Sequence, residues 1–154
     1  METLTDLTQK SNNHIKPEDT SHAAIIHLSS FASFIGIPFG SILGPLITWL
    51  IWREQSSFVD YHGKEALNFN LSIFLYQIAA VILGMILFLS PILSMAATGG
   101  ENPIGIILSI PGLWIFISGI GLLQIFRIVA IIIAAVKAGN GEYFKYPLSI
   151  RFIK

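Results

Sequence analysis

The sequence predicts an all-α polytopic membrane protein, a compact bundle of about four helices in which the first two are short or form a kinked hairpin. The chain has 154 residues, of which 53% are hydrophobic and 12% are charged, and its mean hydropathy is +0.71. Soluble domains carry roughly 25% charged residues. Long apolar blocks alternate with short polar segments, and such a surplus of apolar side chains needs lipid as its solvent.

The first apolar block covers 23–52, and as one straight helix its 30 residues would extend about 45 Å across a hydrocarbon core of roughly 30 Å. Gly36, Pro38 and Gly40 interrupt it, since proline removes a backbone donor and glycine relaxes the chain. We therefore predict helices over about 17–35 and 40–54. Two spans, a re-entrant hairpin and one kinked span all fit this pattern.

The third helix is predicted from residue 63 or 64 to about residue 90, just before Pro91. A short loop follows over 95–102. The fourth apolar block, 103–138, has 36 residues and is too long for one straight span, so we expect Pro111-Gly112 to divide it and 113–136 to cross the membrane. Gly139-Asn140-Gly141 predicts the end of this helix, because glycine accepts the left-handed cap conformation.

These elements divide the chain into three parts. Residues 1–21 are polar and predict a disordered cytoplasmic tail, with the first helix starting near its end. Residues 22–141 form the helical membrane domain, and residues 142–154 an interfacial tail of basic and aromatic side chains.

The basic residues predict the topology. With four helices, eight of the nine lysines and arginines lie on one side of the membrane. The positive-inside rule then places both termini and the central loop in the cytoplasm and predicts a multi-pass membrane protein.

Several function classes find no support in the sequence. The net charge is zero and cysteine is absent, which argues against nucleic-acid binding, thiol catalysis and cysteine-ligated metals. No nucleophile elbow or phosphate-binding loop occurs. We therefore expect a protein that is not an enzyme and has no cofactor.

The stretch 56–70 is the densest polar segment between the apolar blocks. It holds Asp60, His62, Lys64 and Glu65. A metal site or a proton-sensitive histidine is one interpretation. The other, which we favour because the ligand spacing is irregular, is a solvated or interfacial loop that caps the third helix. If the stretch from Asp60 to Asn68 is a packed helix entry and not a metal site, His62 should matter little to the fold, whereas His27 in the first helix should be a buried or interfacial hydrogen-bonding group.

A polar stripe continues along the third helix. Asn68, Ser72 and Tyr76 recur at every fourth position and share a face, while Gln77 lies on another. Because lipid does not favour such groups, we expect them to face other helices. They either pack helices together, which we favour, or line a water-filled path.

Arg127 is the strong charge inside an apolar span. It precedes Lys137 by ten residues, so it lies about 15 Å deeper in the membrane. A central arginine costs roughly 2.5–3.5 kcal/mol on insertion scales and should face protein or water. We predict that it points into the bundle and bonds neutral acceptors such as Gln77 or the Ser41 carbonyl; lining an anion path is the alternative.

Three segments carry a family resemblance: Gly-Pro-Leu-Ile-Thr-Trp-Leu at 44–50, Val-Asp-Tyr-His-Gly-Lys-Glu-Ala-Leu-Asn-Phe at 59–69, and Lys-Ala-Gly-Asn-Gly-Glu at 137–142 with Tyr146-Pro147. Together they resemble a bacterial membrane domain of unknown function related to the small channel-like subunit of the chloroplast inner-envelope protein import translocon. The resemblance implies a four-helix membrane domain of the bacterial inner membrane, with cytoplasmic termini and no established catalytic residues.

These observations lead to two functional hypotheses. The first is a non-enzymatic, translocon-like scaffold whose partners are the lipid bilayer and a membrane protein or a second copy of itself. The second is a small-solute or ion pathway lined by the polar residues of the third helix.

Overall fold

A computed structural model describes residues 15–97, 99 and 104–154, without the side chains of 94 and 104–111. Predictions for residues 1–14, 98 and 100–103 lie outside the described residues, whereas residues 95–97 of the predicted loop are helical. Within the described residues the chain is helical and contains no strand, which confirms the all-α prediction. The described residues form four α-helices, namely α1 (Pro17–Leu28), α2 (Gly40–Trp52), α3 (Ser57–Ala97) and α4 (Ile104–Gly139), and a 3₁₀ helix (Ser29–Ile35) extends α1.

The beginning of α1 follows from local capping. Pro17 occupies the first turn, where its missing N–H costs nothing, and the Asp19 carboxylate accepts a hydrogen bond from the Lys16 N–H at 3.3 Å. Residues 17–21 are therefore helical, and the predicted disorder is wrong for this part of the 1–21 segment. The predicted end at residue 35 is confirmed, and Gly36 follows in a left-handed conformation with φ of 84°.

The first apolar block folds into two short helical arms that run antiparallel and are joined by the turn at residues 36–39, as the interruption predicted. Gly44 of α2 approaches the Ser29 backbone so closely that a Cβ atom at residue 44 would overlap the Ser29 carbonyl oxygen. Thr48 adds a hydroxyl contact to Ser29 Oγ at 3.2 Å. Neither α1 nor α2 is long enough, on its own, to count as a membrane-spanning helix.

The two long helices differ from the predictions. Helix α3 begins at Ser57, six residues before the predicted start, and continues past Pro91 to Ala97, so the predicted end at residue 90 is wrong. Helix α4 continues through Pro111-Gly112 without interruption, and the predicted division there is wrong. The predicted stop is confirmed, because α4 ends at Gly139 and Gly141 adopts a φ of 77°.

The described chain separates into two compact units. One contains residues up to Ser72 together with Ile128–Lys154, and the other contains Ile73–Arg127. Within the first unit, residues such as Ile26, Val59, Ala66 and Leu67 form an apolar core. Within the second, most side chains of α3 are apolar and exposed.

Both long helices contain an apolar stretch that could cross a bilayer, with a mean hydropathy of 2.4 over 18 residues. Only 6% of that stretch in α3, and 28% in α4, is buried within the protein. The core helix of a soluble protein would instead be mostly buried, so these exposed apolar surfaces suit lipid.

Candidate functional site

The polar stretch at 56–70 is the start of α3 rather than a loop. Ser56 caps the helix, because its Oγ accepts the Val59 N–H at 3.3 Å. From Ala66 to Asn70 every side chain is buried. The predicted solvated loop is therefore wrong, and these polar groups belong to the core of the first unit.

Asp60 and Lys64 connect α3 to α2 at the edge of this core. The Trp49 indole donates to Asp60 Oδ1 at 3.0 Å, and Lys64 Nζ lies 2.6 Å from the other carboxylate oxygen. Gly63 permits this contact, since a Cβ atom there would overlap the Trp49 ring. The Asp60 carboxylate is thus already bonded to an indole and an ammonium group.

A buried chain of hydrogen-bonded side chains joins α1, α3 and the C-terminal segment (residues 142–154). His27 Nε2 lies 2.9 Å from His62 Nδ1, and His27 Nδ1 lies 3.0 Å from the Tyr146 hydroxyl. Both histidines are 0% exposed and Tyr146 is 2% exposed. His27 is therefore the hydrogen-bonding group that the sequence predicted, whereas His62 is fully buried and the expectation that it matters little to the fold no longer fits its position.

The electrostatics of this hydrogen-bonded cluster favour uncharged histidine rings. Burial, and then the nearby His62, lower the pKa of His27 well below its ordinary value. Because only one hydrogen fits between the two facing nitrogens, the two rings cannot both be imidazolium ions. With its rings uncharged, the cluster therefore suits a structural role at neutral pH.

Glu65 anchors the C-terminal segment. Its carboxylate is buried and accepts the Tyr146 N–H at 3.2 Å, while the Arg151 guanidinium lies 3.7 Å away. The segment was predicted to be interfacial, yet Tyr146 stacks on Phe69 with ring centroids 4.0 Å apart. This part of the segment packs into the core.

Asn68 holds the last residues of the C-terminal segment. Its Oδ1 accepts the N–H groups of Phe152 at 3.0 Å and Ile153 at 2.8 Å, and its Nδ2 donates to the Ile153 carbonyl at 2.9 Å. One turn later, Ser72 Oγ accepts the Ile150 N–H at 2.8 Å. The carboxamide acts here as a neighbouring strand would, satisfying backbone groups from both sides.

The sequence predicted that Asn68 and Ser72 face other helices, whereas the structure places both against the C-terminal segment. Their partners are backbone groups of the C-terminal segment, so side-chain patterns contain little trace of them. The sequence signal that could have indicated these partners is the Asn68 carboxamide, which can donate and accept hydrogen bonds at the same time. The second part of that signal is the aromatic C-terminal segment, which cannot pair its own backbone groups.

The remaining candidates lie in the second unit. Tyr76 and Gln77 are half-buried, and Arg127 is 5% exposed. Arg127 is therefore not on the lipid-facing surface. Its bonding to Gln77 or to the Ser41 carbonyl stays a prediction.

Metal ligation would require several of these groups to converge on one point. Among the described residues no group of three or more histidine, aspartate or glutamate side chains is placed to hold a metal ion. Asp60, His62 and Glu65 instead contact three different partners. The arrangement binds the C-terminal segment to the helices.

A comparison with protein families identifies the relatives of this fold. The profile of the magnetosome magnetite crystal formation protein family (MamF/MmsF) matches residues 18–153. The chain belongs to this family. The match to MamF/MmsF covers α1, the buried polar cluster and the C-terminal segment together. It supports a bacterial membrane family, as the resemblance implied, whereas nothing links the chain to a chloroplast translocon subunit. No curated protein and no solved structure matches the chain.

Proposed function

We propose that this MamF/MmsF protein is a non-enzymatic integral membrane scaffold. Its long apolar helices hold it in the bilayer, and its first unit presents a fixed polar surface to a protein partner at the membrane face. In this proposal the termini and that surface lie in the cytoplasm, following the positive-inside rule.

The observation that supports a scaffold is the use made of the polar residues of α3. Asn68 and Ser72, two of the four residues that could line a water-filled path, are bonded to the backbone of the C-terminal segment. Buried polar groups that are fully paired rigidify a structure. They are then not available to replace the hydration shell of a passing solute.

The family name supplies the process to which we assign this scaffold, the formation of magnetite crystals. Asp60, Glu65 and His27 already have partners within the protein, and His62 bonds His27 through Nδ1. We therefore propose that the chain acts on crystal formation through protein contacts at the membrane and not through direct iron ligation. Protein import is no part of this proposal.

Site-specific photo-crosslinking in native membranes tests the scaffold. A photoreactive residue replacing Lys145, which is exposed in the C-terminal segment, should give adducts with one recurring protein. The matched control replaces Ile82, which is 54% exposed on the apolar part of α3, and should give lipid adducts.

A flux assay on liposomes that contain only this protein separates the scaffold from a pathway. We expect no solute or ion flux above that of empty liposomes. Flux that is abolished by Asn68→Leu, together with an absence of protein adducts at residue 145, would contradict the scaffold.

A further inference from the structure

A polar cavity of about 390 Å³ opens between the first turns of α3 and the end of the C-terminal segment. Lys64, Arg151 and Lys154 line it together with Glu65, Asn68 and Tyr61. Its volume lies within the roughly 300–1,000 Å³ typical of small-molecule sites. We propose that this cavity binds the phosphate group of an anionic phospholipid headgroup.

The charges around the cavity favour an anion. Three cations line it, of which Lys64 is paired with Asp60 at 2.6 Å. Arg151 and Lys154 remain against one carboxylate, that of Glu65, which is 7% exposed and already accepts the Tyr146 N–H. The Arg151 side chain is 57% exposed and its nitrogen lies 3.7 Å from Glu65, beyond good hydrogen-bonding distance. Most of its donors therefore point to solvent, and a guanidinium group matches the geometry of phosphate oxygens.

The cations are held in place by the backbone between them. Asn68, which is 2% exposed, fixes Phe152 and Ile153 through three hydrogen bonds of 2.8–3.0 Å. Arg151 and Lys154 flank this pair in the chain, so their Cα positions are set before any ligand arrives. Such preorganisation reduces the entropy lost on binding.

The position of the cavity along α3 points to a lipid as the source of the phosphate. The exposed apolar part of α3 begins at Phe74, and Asn68, which lines the cavity, precedes Phe74 by six residues, or about 9 Å along the helix. The headgroup layer on each side of a bilayer is roughly 5–8 Å thick. A headgroup at the end of the apolar stretch would thus lie next to the Asn68 end of the cavity, and basic pockets at this depth recognise anionic lipids.

Binding to the purified full-length chain in a neutral detergent tests this site. Dioctanoyl phosphatidylglycerol should bind more tightly than zwitterionic dioctanoyl phosphatidylcholine by titration calorimetry, and glycerol phosphate should bind weakly. The double variant Arg151→Gln/Lys154→Gln should lose about tenfold or more in affinity for phosphatidylglycerol, the effect of removing charge-assisted hydrogen bonds.

The matched control is Arg53→Gln/Lys145→Gln, which removes two exposed cations outside the cavity. Its affinity should stay within about twofold of the parent chain, because surface charges without a binding site are screened by salt. Lys154→Gln alone is the second test variant. It removes one cation of the cavity without breaking an ion pair, because Lys154 forms none within the described residues. Unchanged amide exchange at Phe152 and Ile153 verifies that each variant keeps the fold.

Three results would overturn the proposal. An equal loss in the control double variant would show diffuse attraction to the whole protein. Equal binding of phosphatidylglycerol and phosphatidylcholine would show that the cavity does not select an anion. Glycerol phosphate binding as tightly as phosphatidylglycerol would assign the cavity to a soluble phosphate compound and not to a lipid. None of these outcomes depends on the scaffold having a protein partner.

Discussion

Replacing Asn68 by leucine should detach the C-terminal segment from α3. The substitution keeps the approximate volume of a residue that is 2% exposed, and it removes the partner of two backbone N–H groups and one carbonyl. At about 1 kcal/mol net for each hydrogen bond, the loss is about 3 kcal/mol. Release of the segment limits the loss, because the freed backbone groups regain water.

Hydrogen exchange resolved by residue, in detergent or nanodiscs, measures this effect directly. The amides of Ile150, Phe152 and Ile153 should exchange faster by a factor of about 100, which corresponds to roughly 3 kcal/mol. The matched control is Asn70→Leu, the same change two residues along α3, where the amide bonds Ser30 and the Ala66 carbonyl instead. It should destabilise the first unit while leaving the segment attached. Unchanged exchange at Phe152 and Ile153 in Asn68→Leu would refute the reasoning.

Four further outcomes are expected. The folded-state pKa of His27 lies below its ordinary value of about 6.5, so the unfolded chain binds more protons than the folded chain as the pH falls. Thermal stability should therefore be full above pH 7 and decline below pH 6.5, and a thermal unfolding midpoint that stays constant with pH would contradict this. His62→Ala should cost about 2–5 kcal/mol in chemical unfolding, the range for emptying a buried site. Gly44→Ala should cost about 1–3 kcal/mol by overlap with the adjacent backbone, whereas Gly139→Ala, with open space around it, should be nearly neutral in the same assay. A topology reporter near Gly99 should report the outer face, and reporters at both termini the cytoplasm; an external N-terminal tag would rule out the predicted arrangement.

Local signals predicted where most helices begin and end. Pro17, the interruption at Gly36–Gly40 and the stop after Gly139 act through backbone geometry within a few residues, so the sequence contains all the information needed. Asn68 and Ser72 are buried, as expected for a polar stripe on an apolar helix, but they face the C-terminal segment and not other helices.

Long-range contacts account for the errors. The segment 57–62 looks like a loop when its charges are assumed to meet water. It is helical and packed because Trp49 bonds Asp60 and His27 bonds His62 from other helices. The burial of His62 depends on those partners as well. Pro91 failed to end α3, since a membrane helix can accommodate proline when other groups satisfy the freed carbonyl.

The C-terminal segment also sets the order of events during synthesis. Asn68 and its partner Ile153 are separated by 85 residues, and His27 and Tyr146 by 119. At about 5–20 residues/s, translation needs roughly 4–17 s to proceed from the first member of the Asn68 pair to the second. Until residues 142–154 have been synthesised, the Asn68 carboxamide therefore lacks the backbone partners that it has in the folded protein.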